Sequence, residues 1–373
     1  MKIIALGLIA LLLFMLEREV YKRLWKEKLF VSVAFDRASV EEGEEGNVIE
    51  VVENRKSLPL SMLKVKFQTS RNLTFSDDKG SKMTDLYYRN DVFRIGGGER
   101  ITRTLPFIGK KRGYYNIKEI DLVGMDLFLS AEMVHSFKTN CYLYVYPKTF
   151  QSREMQVSLQ NLNGEVLTKR HLLEDPFEYR GIREYQPFDD IRSVNWKATA
   201  RTGKLKVNQK NYTALWTIRI YLNIEDTGIL KKEDAVESSM QVVMGLAKFF
   251  LAQGICVSVG SNGRDVITRE PLRIKSSAGA YQEEQIRKGL SRISTETEPY
   301  NFRQLFEEEI LDEAKGTLTL FVSPNGYDDF IQLLNLCKEK KVWYKWFYPT
   351  ISKEEPELPP EILENLTILH LRS

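Results

Sequence analysis

At 373 residues the chain has room for two or three domains of roughly 100 to 200 residues each, which excludes a single small module. Its 54 lysines and arginines against 51 aspartates and glutamates leave a formal charge of +3, and 28% charged with 43% hydrophobic residues is the make-up of an ordinary globular chain. These numbers exclude wholesale disorder and a many-pass membrane protein, and a dedicated nucleic-acid binder would need a clearer basic excess against phosphate.

From Ile3 to Leu16 the run IIALGLIALLLFML carries no charge; it is bounded by Lys2 and by Glu17, Arg18 and Glu19. As a helix these residues span about 21 Å, short of the roughly 30 Å hydrocarbon core unless Tyr21, Trp25 and snorkelling basic side chains extend it. The length also suits a signal-peptide core, but no small-x-small site follows and the run passes into the charged, helix-like EREVYKRLWKEKL. An uncleaved anchor over residues 1–28 is therefore expected, with a buried core helix as the competing reading. Arg18, Lys22, Arg23, Lys26 and Lys28 beyond it place the rest of the chain in the cytoplasm by the positive-inside rule.

Residues 29–150 show two-residue alternation broken by turns: VSVAFD, EEGEEG, NVIEVVEN, MLKVKFQ, ITRTLPF and YLYVY. This predicts an antiparallel, immunoglobulin-like β-sandwich. Gly96, Gly97 and Gly98 lie between strand-like runs with no helix after them, which fits a hairpin turn and not a phosphate cradle. The sequons at Asn72, Asn211 and Asn365 carry no weight in a cytoplasmic domain.

Residues 151–212 read as a linker with one unusual segment, DPFEYRGIREYQPFDDIRSVNWKATARTGKLKVNQ. Asp189 or Asp190 is expected to cap a short helix running to about Arg201, stopped by Gly203. Arg183, Arg192 and Arg201 then have Glu184, Asp189 and Asp190 as partners, a charged clamp expected to join the domains with Trp196 packed inside it. A glycosidase-like pair drawn from Glu178, Glu184, Asp189 and Asp190 is the competing chemistry, though the arginines would keep those carboxylates ionised. Lys197, Arg201, Lys204, Lys206 and Lys210 form a basic strip, read as a solvated face.

Over residues 213–373 the rhythm is strand and helix in turn. Leu215–Ile224, Ile255–Gly260, Thr317–Ser323, Val342–Tyr348 and Leu366–Leu371 read as strands, and 233–252, 281–293, 301–314 and 327–340 as helices. Such alternation predicts an α/β domain with a mostly parallel sheet, whose ligands sit at the carboxyl ends of strands: Asn223–Thr227, the loop after Gly260, and Ser323–Asp329. Cys141, Cys256 and Cys337 are scattered in apolar stretches and are expected to be reduced; His135, His171 and His370 form no motif. No zinc-protease, serine-hydrolase or P-loop signature occurs.

The run from Gly181 to Gly203 resembles the signature of the bacterial domain-of-unknown-function family fifty-eight, R-E-Y-x-P-G-D-D-x-R-x-I-x-W-x-x-x-A-R. Arg183, Glu184, Tyr185, Pro187, Asp189, Asp190, Arg192, Trp196, Ala200 and Arg201 match it, while Phe188 stands for the glycine and Val194 for the isoleucine. Arg112-Gly113-Tyr114-Tyr115 and Asp126-Leu127-Phe128 are similar to the R-G-x-Y and D-P-F elements of the family's β-domain. The resemblance implies a membrane-anchored α+β protein with a β-sandwich and a von Willebrand factor type A-like domain. Implied partners are a MoxR-type AAA+ ATPase and a transglutaminase-like membrane protein. Family members usually carry two N-terminal hydrophobic helices, whereas this chain has one short run. Type A domains often hold Mg²⁺ on a D-x-S-x-S loop. Here that stretch is Asn223-Ile224-Glu225-Asp226-Thr227, with Asp328 and Asp329 as further oxygen donors, so Asn223, Glu225 and Thr227 would form a degenerate site and no cofactor is expected. The expected function is a membrane-tethered, non-enzymatic adaptor for the ATPase. The alternatives are a carboxylate-dependent hydrolase and a binder of lipid or cell-envelope polymer.

Overall fold

The computed structural model describes residues 2–76, 81–83, 86–172, 179–187, 189, 191–210, 217–226, 233–312, 317–350 and 358–371. The chain is α+β and divides into two units, residues 1–148 and 149–373.

Unit 1 opens with helix α1 (Lys2–Leu24), followed by β1 (Leu29–Phe35), β2 (Ser39–Glu41), β3 (Glu45–Asn54), β4 (Leu60–Ser70), β5 (Leu73–Phe75), β6 (Ser81–Met83), β7 (Leu86–Ile95), β8 (Arg100–Gly109), β9 (Gly113–Met125) and β10 (Glu132–Tyr146). The strands form two sheets, β1-β3-β8-β5 and β2-β10-β9-β4-β7-β6. All pairings are antiparallel but one: β2 joins β10 in parallel, so the second sheet is mixed, unlike the purely antiparallel sandwich expected. Period-two alternation puts Val48 and Val52 of β3, Phe67 of β4, Tyr87 and Phe93 of β7 and Phe107 of β8 into one core between the sheets.

Helix α1 is fastened to this core by its last turns. Tyr21 and Trp25 are buried among the sandwich residues, and the Tyr21 hydroxyl donates to the Pro59 carbonyl at 3.0 Å. Trp25 lies flat enough on β9 that a Cβ at Gly124 would meet its ring at 2.5 Å, so glycine is required there. Losing a buried tryptophan of this kind costs roughly 3–5 kcal/mol. Further back, and Phe14 apart, every side chain from Ile3 to Leu16 is exposed. Among the described residues the helix long and apolar enough to cross a membrane is instead Glu233–Ala252 of unit 2, and 67% of its most apolar stretch is buried inside the protein.

Unit 2 contains α2 (Arg153–Leu172), β11 (Tyr179–Glu184), α3 (Trp196–Thr202), β12 (Lys206–Lys210), β13 (Thr217–Leu222), α4 (Glu233–Ala252), β14 (Cys256–Arg264), β15 (Pro271–Ser277), α5 (Ala280–Arg292), α6 (Phe302–Leu311), β16 (Thr317–Val322), α7 (Asp328–Glu339), β17 (Tyr344–Thr350), α8 (Pro360–Leu363) and β18 (Leu366–His370). Its main sheet runs β15-β14-β13-β16-β17-β18, parallel throughout except for the antiparallel edge strand β15. Apolar side chains leave both faces of the central strands: Ile218, Ile220 and Leu222 point into a core with α4 and α5, while Tyr221 and Phe321 point into another with α6 and α7. Residues 153–172, within the segment expected to be linker, are the helix α2, and its Met155, Leu159, Leu162 and Val166 belong to the first of these cores. All three cysteines are reduced; Cys337 is buried, and burial pushes the half-buried Cys141 thiol up.

One feature of the sandwich core is polar. Asp91 of β7 accepts from Arg89 Nε at 2.5 Å and from Arg103 Nη1 at 2.7 Å, and Glu50 of β3 is fully buried beside them with no hydrogen-bond donor for either carboxylate oxygen. Burial first, and the Asp91 charge second, push the Glu50 carboxyl up to about 8 against the opposing pull of Arg103 and Arg89. A raised acid pKa favours the folded state below the unfolded value and costs stability as pH climbs to the folded value. The full chain is thus expected to lose up to about 1.4 kcal/mol per pH unit from this group between its unfolded pKa and about 8. Glu50→Gln should raise the denaturation midpoint of unit 1 at alkaline pH and change it little at pH near the unfolded value. An equal effect at both would contradict the assignment.

Candidate functional site

The sheet of unit 2 has the doubly wound order in which two neighbouring parallel strands, here β13 and β16, send their following connections to opposite sides. The crevice at their carboxyl ends is where such folds place a ligand. Asn223, Ile224, Glu225 and Asp226 leave β13 there, and Ser323, Asn325 and Tyr327 leave β16.

These groups are engaged with one another. The Asn223 side-chain oxygen accepts from Asn262 Nδ2 at 3.1 Å and from the Glu225 amide at 3.0 Å. Asn262, at the end of β14, also accepts the Ile224 amide at 3.0 Å and donates to the Tyr300 carbonyl at 2.9 Å. Glu225 Oε1 accepts the Phe302 amide at 2.9 Å, placing its charge on the first turn of α6, where the helix dipole favours an anion. Asn325 donates to the Glu225 carbonyl at 2.7 Å, Tyr327 donates to Asp226 at 3.0 Å, and Asn301 caps α6 while reaching Asp329 at 3.4 Å. Asn223, Asn262, Ser323 and Asn325 are all buried. Burial pushes the Glu225 carboxyl up, helped by Asp329 and opposed by the Phe302 amide and Asn223.

Among the described residues, the candidate Mg²⁺ ligands are engaged with protein partners. The Asn223 oxygen already accepts two hydrogen bonds, Glu225 caps a helix, and Asp226 and Asp329 are held by Tyr327 and Asn301. Among the described residues no three histidines, cysteines or carboxylates cluster as metal ligands, and Thr227 lies outside the described residues.

The signature segment is a separate structural feature of unit 2. Strands β11 and β12 pair antiparallel, a 3-10 turn covers Ile191–Ser193, and α3 follows. The helix starts later than expected: Asn195, not Asp189 or Asp190, is its N-cap, accepting the Ala198 amide, and Gly203 in the left-handed region ends it. Asp189 instead closes a turn, accepting the Gln186 amide at 2.8 Å and both Nη atoms of Arg183 at 2.7 and 2.6 Å. This Arg183 fork, with the Gln186 amide, holds the Asp189 carboxyl below its usual range. Lys206, at 3.2 Å, and Lys204, at 3.6 Å, do the same for Glu184. Tyr185 continues the pairing through its amide to the Leu205 carbonyl at 2.9 Å, and Pro187 sits in the turn. Phe188 and Asp190 lie outside the described residues.

Of the expected clamp the structure describes the Arg183–Asp189 pair; Arg192 and Arg201 are exposed, and Asp190 lies outside the described residues. Trp196 is 65% exposed instead of packed inside the clamp, and no residue of α3 is buried. Trp196, Ile191, Ile182 and Leu205 are each exposed, while Val194 and Val207, joined by a β-bridge, are buried. Sequence reasoning marked the loop after Gly260 and Ser323–Asp329, which hold Asn262 and Asn325, without naming their network; it missed Tyr300, which lies just ahead of α6.

No protein-family model and no curated protein matches the chain. Among solved structures, the CARDB domain of a Pyrococcus furiosus protein, crystallised with di-metal ions, is 15% identical and covers 32% of this chain and 96% of its own at a TM-score of 0.21. A conjugative transposon lipoprotein from Bacteroides eggerthii is 14% identical, covering 31% and 98% at a TM-score of 0.20. Overlaps this shallow define neither a family nor an activity for this chain.

Removing Asn262 should test the crevice as a structural knot. Asn262→Ala leaves the Ile224 amide, the Asn223 oxygen and the Tyr300 carbonyl each short of a partner, and is expected to destabilise the chain by roughly 2–5 kcal/mol in a denaturant titration. Added Mg²⁺ should leave the wild-type midpoint unchanged; a rise with Mg²⁺ would mean the knot opens to a metal.

Proposed function

We propose that the chain is a non-enzymatic adaptor tethered to the cytoplasmic face of a membrane by α1, with unit 2 a von Willebrand factor type A-like docking domain that works with a MoxR-type AAA+ ATPase. The strand order of unit 2 and the place of Asn223–Asp226 after β13 support the type A reading. A fully apolar run next to a cluster of lysines and arginines supports the tether and its orientation.

The observation that carries the adaptor reading is the exposure of the signature's aromatic residue. Trp196 and Ile191 stand in solvent while Arg183, Asp189, Glu184 and Lys206 hold the hairpin beneath them. Exposed tryptophan beside arginine is the composition of a protein-binding hot spot. The hydrolase alternative needs one carboxylate held protonated at neutral pH, and the ion pairs on Glu184 and Asp189 push both the other way.

The test is affinity isolation of the full chain from detergent-solubilised membranes with a non-hydrolysable ATP analogue present. An AAA+ ATPase is expected with the wild type and is expected to be lost with Trp196→Ala, whose thermal unfolding should stay within about 0.5 kcal/mol of wild type because the ring is exposed. Hydrolytic turnover by the pure chain that disappears in Glu184→Gln would favour the enzyme reading instead.

A further inference from the structure

We propose that the loop Leu127–Leu129 is a second membrane contact, an apolar wedge that enters the headgroup boundary of the bilayer beside α1. The inference rests on the reading of α1 as a membrane anchor and adds to it a site in the β-sandwich unit.

Three consecutive large apolar side chains, Leu127, Phe128 and Leu129, stand exposed at the turn between β9 and β10, Phe128 at 60%. Connecting turns ordinarily carry polar residues, and a run of this kind on a soluble surface marks an interaction site. The turn is built to hold them outward. Asp126 is fully buried and its carboxylate accepts the Ser130 amide at 2.6 Å, the Ala131 amide at 3.2 Å and the Ser130 hydroxyl, which fixes both ends of the loop. Leu129 sits at φ 57, a left-handed conformation that L-residues rarely adopt and that glycine or asparagine would take without strain.

Its position selects the occupant. The Phe128 ring lies 5.6 Å from the ring of Phe14, and the Leu127 amide donates to Glu17 Oε1 at 2.8 Å. The loop is therefore level with residues 14 to 17 of α1, about 4.5 Å of helix rise that spans the change from uncharged run to charged segment. A bilayer that covers Ile3–Leu16 has its headgroup boundary at this level. Arg18, Lys22 and Arg23 follow immediately, where cations meet anionic headgroups. Helix and loop then form one continuous apolar surface that ends where charged residues begin, with Glu17 on the loop, Arg18 and Lys22 beyond it and Arg23 paired with Glu19, which fits a lipid surface better than a folded partner.

The test places the photoreactive residue benzoylphenylalanine at position 12, 128 or 88 of the full chain, each reconstituted in vesicles of phosphatidylcholine and phosphatidylglycerol, irradiated and assayed by mass for lipid adducts. Tyr88 is the control: it is exposed but pairs with Gln68, five residues along β4 from Leu63, which pairs with Gly124 beside the loop, about 17 Å away along the strand. Lipid adducts are expected at 12 and 128, with the yield at 128 several-fold above that at 88. Adducts at 12 with only unreacted residue or protein cross-links at 128, a second copy of the chain included, would overturn the wedge and leave the anchor standing. Adducts at 128 without any at 12 would keep the wedge and overturn the anchor, and none at either position would overturn both.

Discussion

An apolar helix with nothing of its own unit wrapped around it is the constraint on which this account turns. Fourteen uncharged residues leave the sandwich behind, and Phe14 alone among them is not exposed. A helix apolar all round is stable in water only if something else buries it. What the unit supplies is a rigid fastening. Trp25 seated on Gly124 and Tyr21 bonded to Pro59 tie the end of the helix into the sandwich core, while Glu17 and Phe14 meet the loop after β9. The direction of α1 relative to its sandwich is thus set by buried contacts and not by a loose linker, and a bilayer holding the helix would hold the sandwich in one orientation.

The two units treat buried polarity in opposite ways. In the crevice of unit 2 the described polar side chains pair with one another: two asparagine amides join β13 to β14, and one glutamate accepts the first amide of α6. Fully satisfied networks of this type rigidify a fold, and here the network fills the place where a doubly wound sheet usually binds something. In the sandwich, Glu50 is left without a donor next to the Asp91 carboxylate, and a proton is the simplest relief. One network therefore ties strand ends together, and the other makes the stability of its unit depend on pH.

Much of the fold was legible because burial writes a period into the sequence. β3 and β7 alternate strictly, β16 is buried throughout as a central parallel strand must be, and Gly203 ends α3 as a left-handed cap. Helix α2 was not legible: its stripe of Met155, Leu159, Leu162 and Val166 is diluted by glutamine, asparagine and glutamate, and the segment reads as polar linker until the core it fills is known. The short edge strand β15 was lost for a related reason, since PLRIKSS opens on proline and buries few side chains. At the site, the sequence marked the right strand ends but not the amide pairing, which depends on β14 lying beside β13. Trp196 misled because a large aromatic among arginines suggests a packed clamp; a seven-residue helix with no buried residue offers it no core.

Whether α1 belongs in a bilayer is decided by alkaline carbonate extraction of membranes from cells that make the full chain. The protein is expected to stay with the lipid pellet and a chain lacking Ile3–Leu16 to be released, because the loop after β9 alone makes only a shallow, reversible contact. Release of the full chain into the carbonate supernatant would contradict that placement and leave the exposed helix to be covered by another protein.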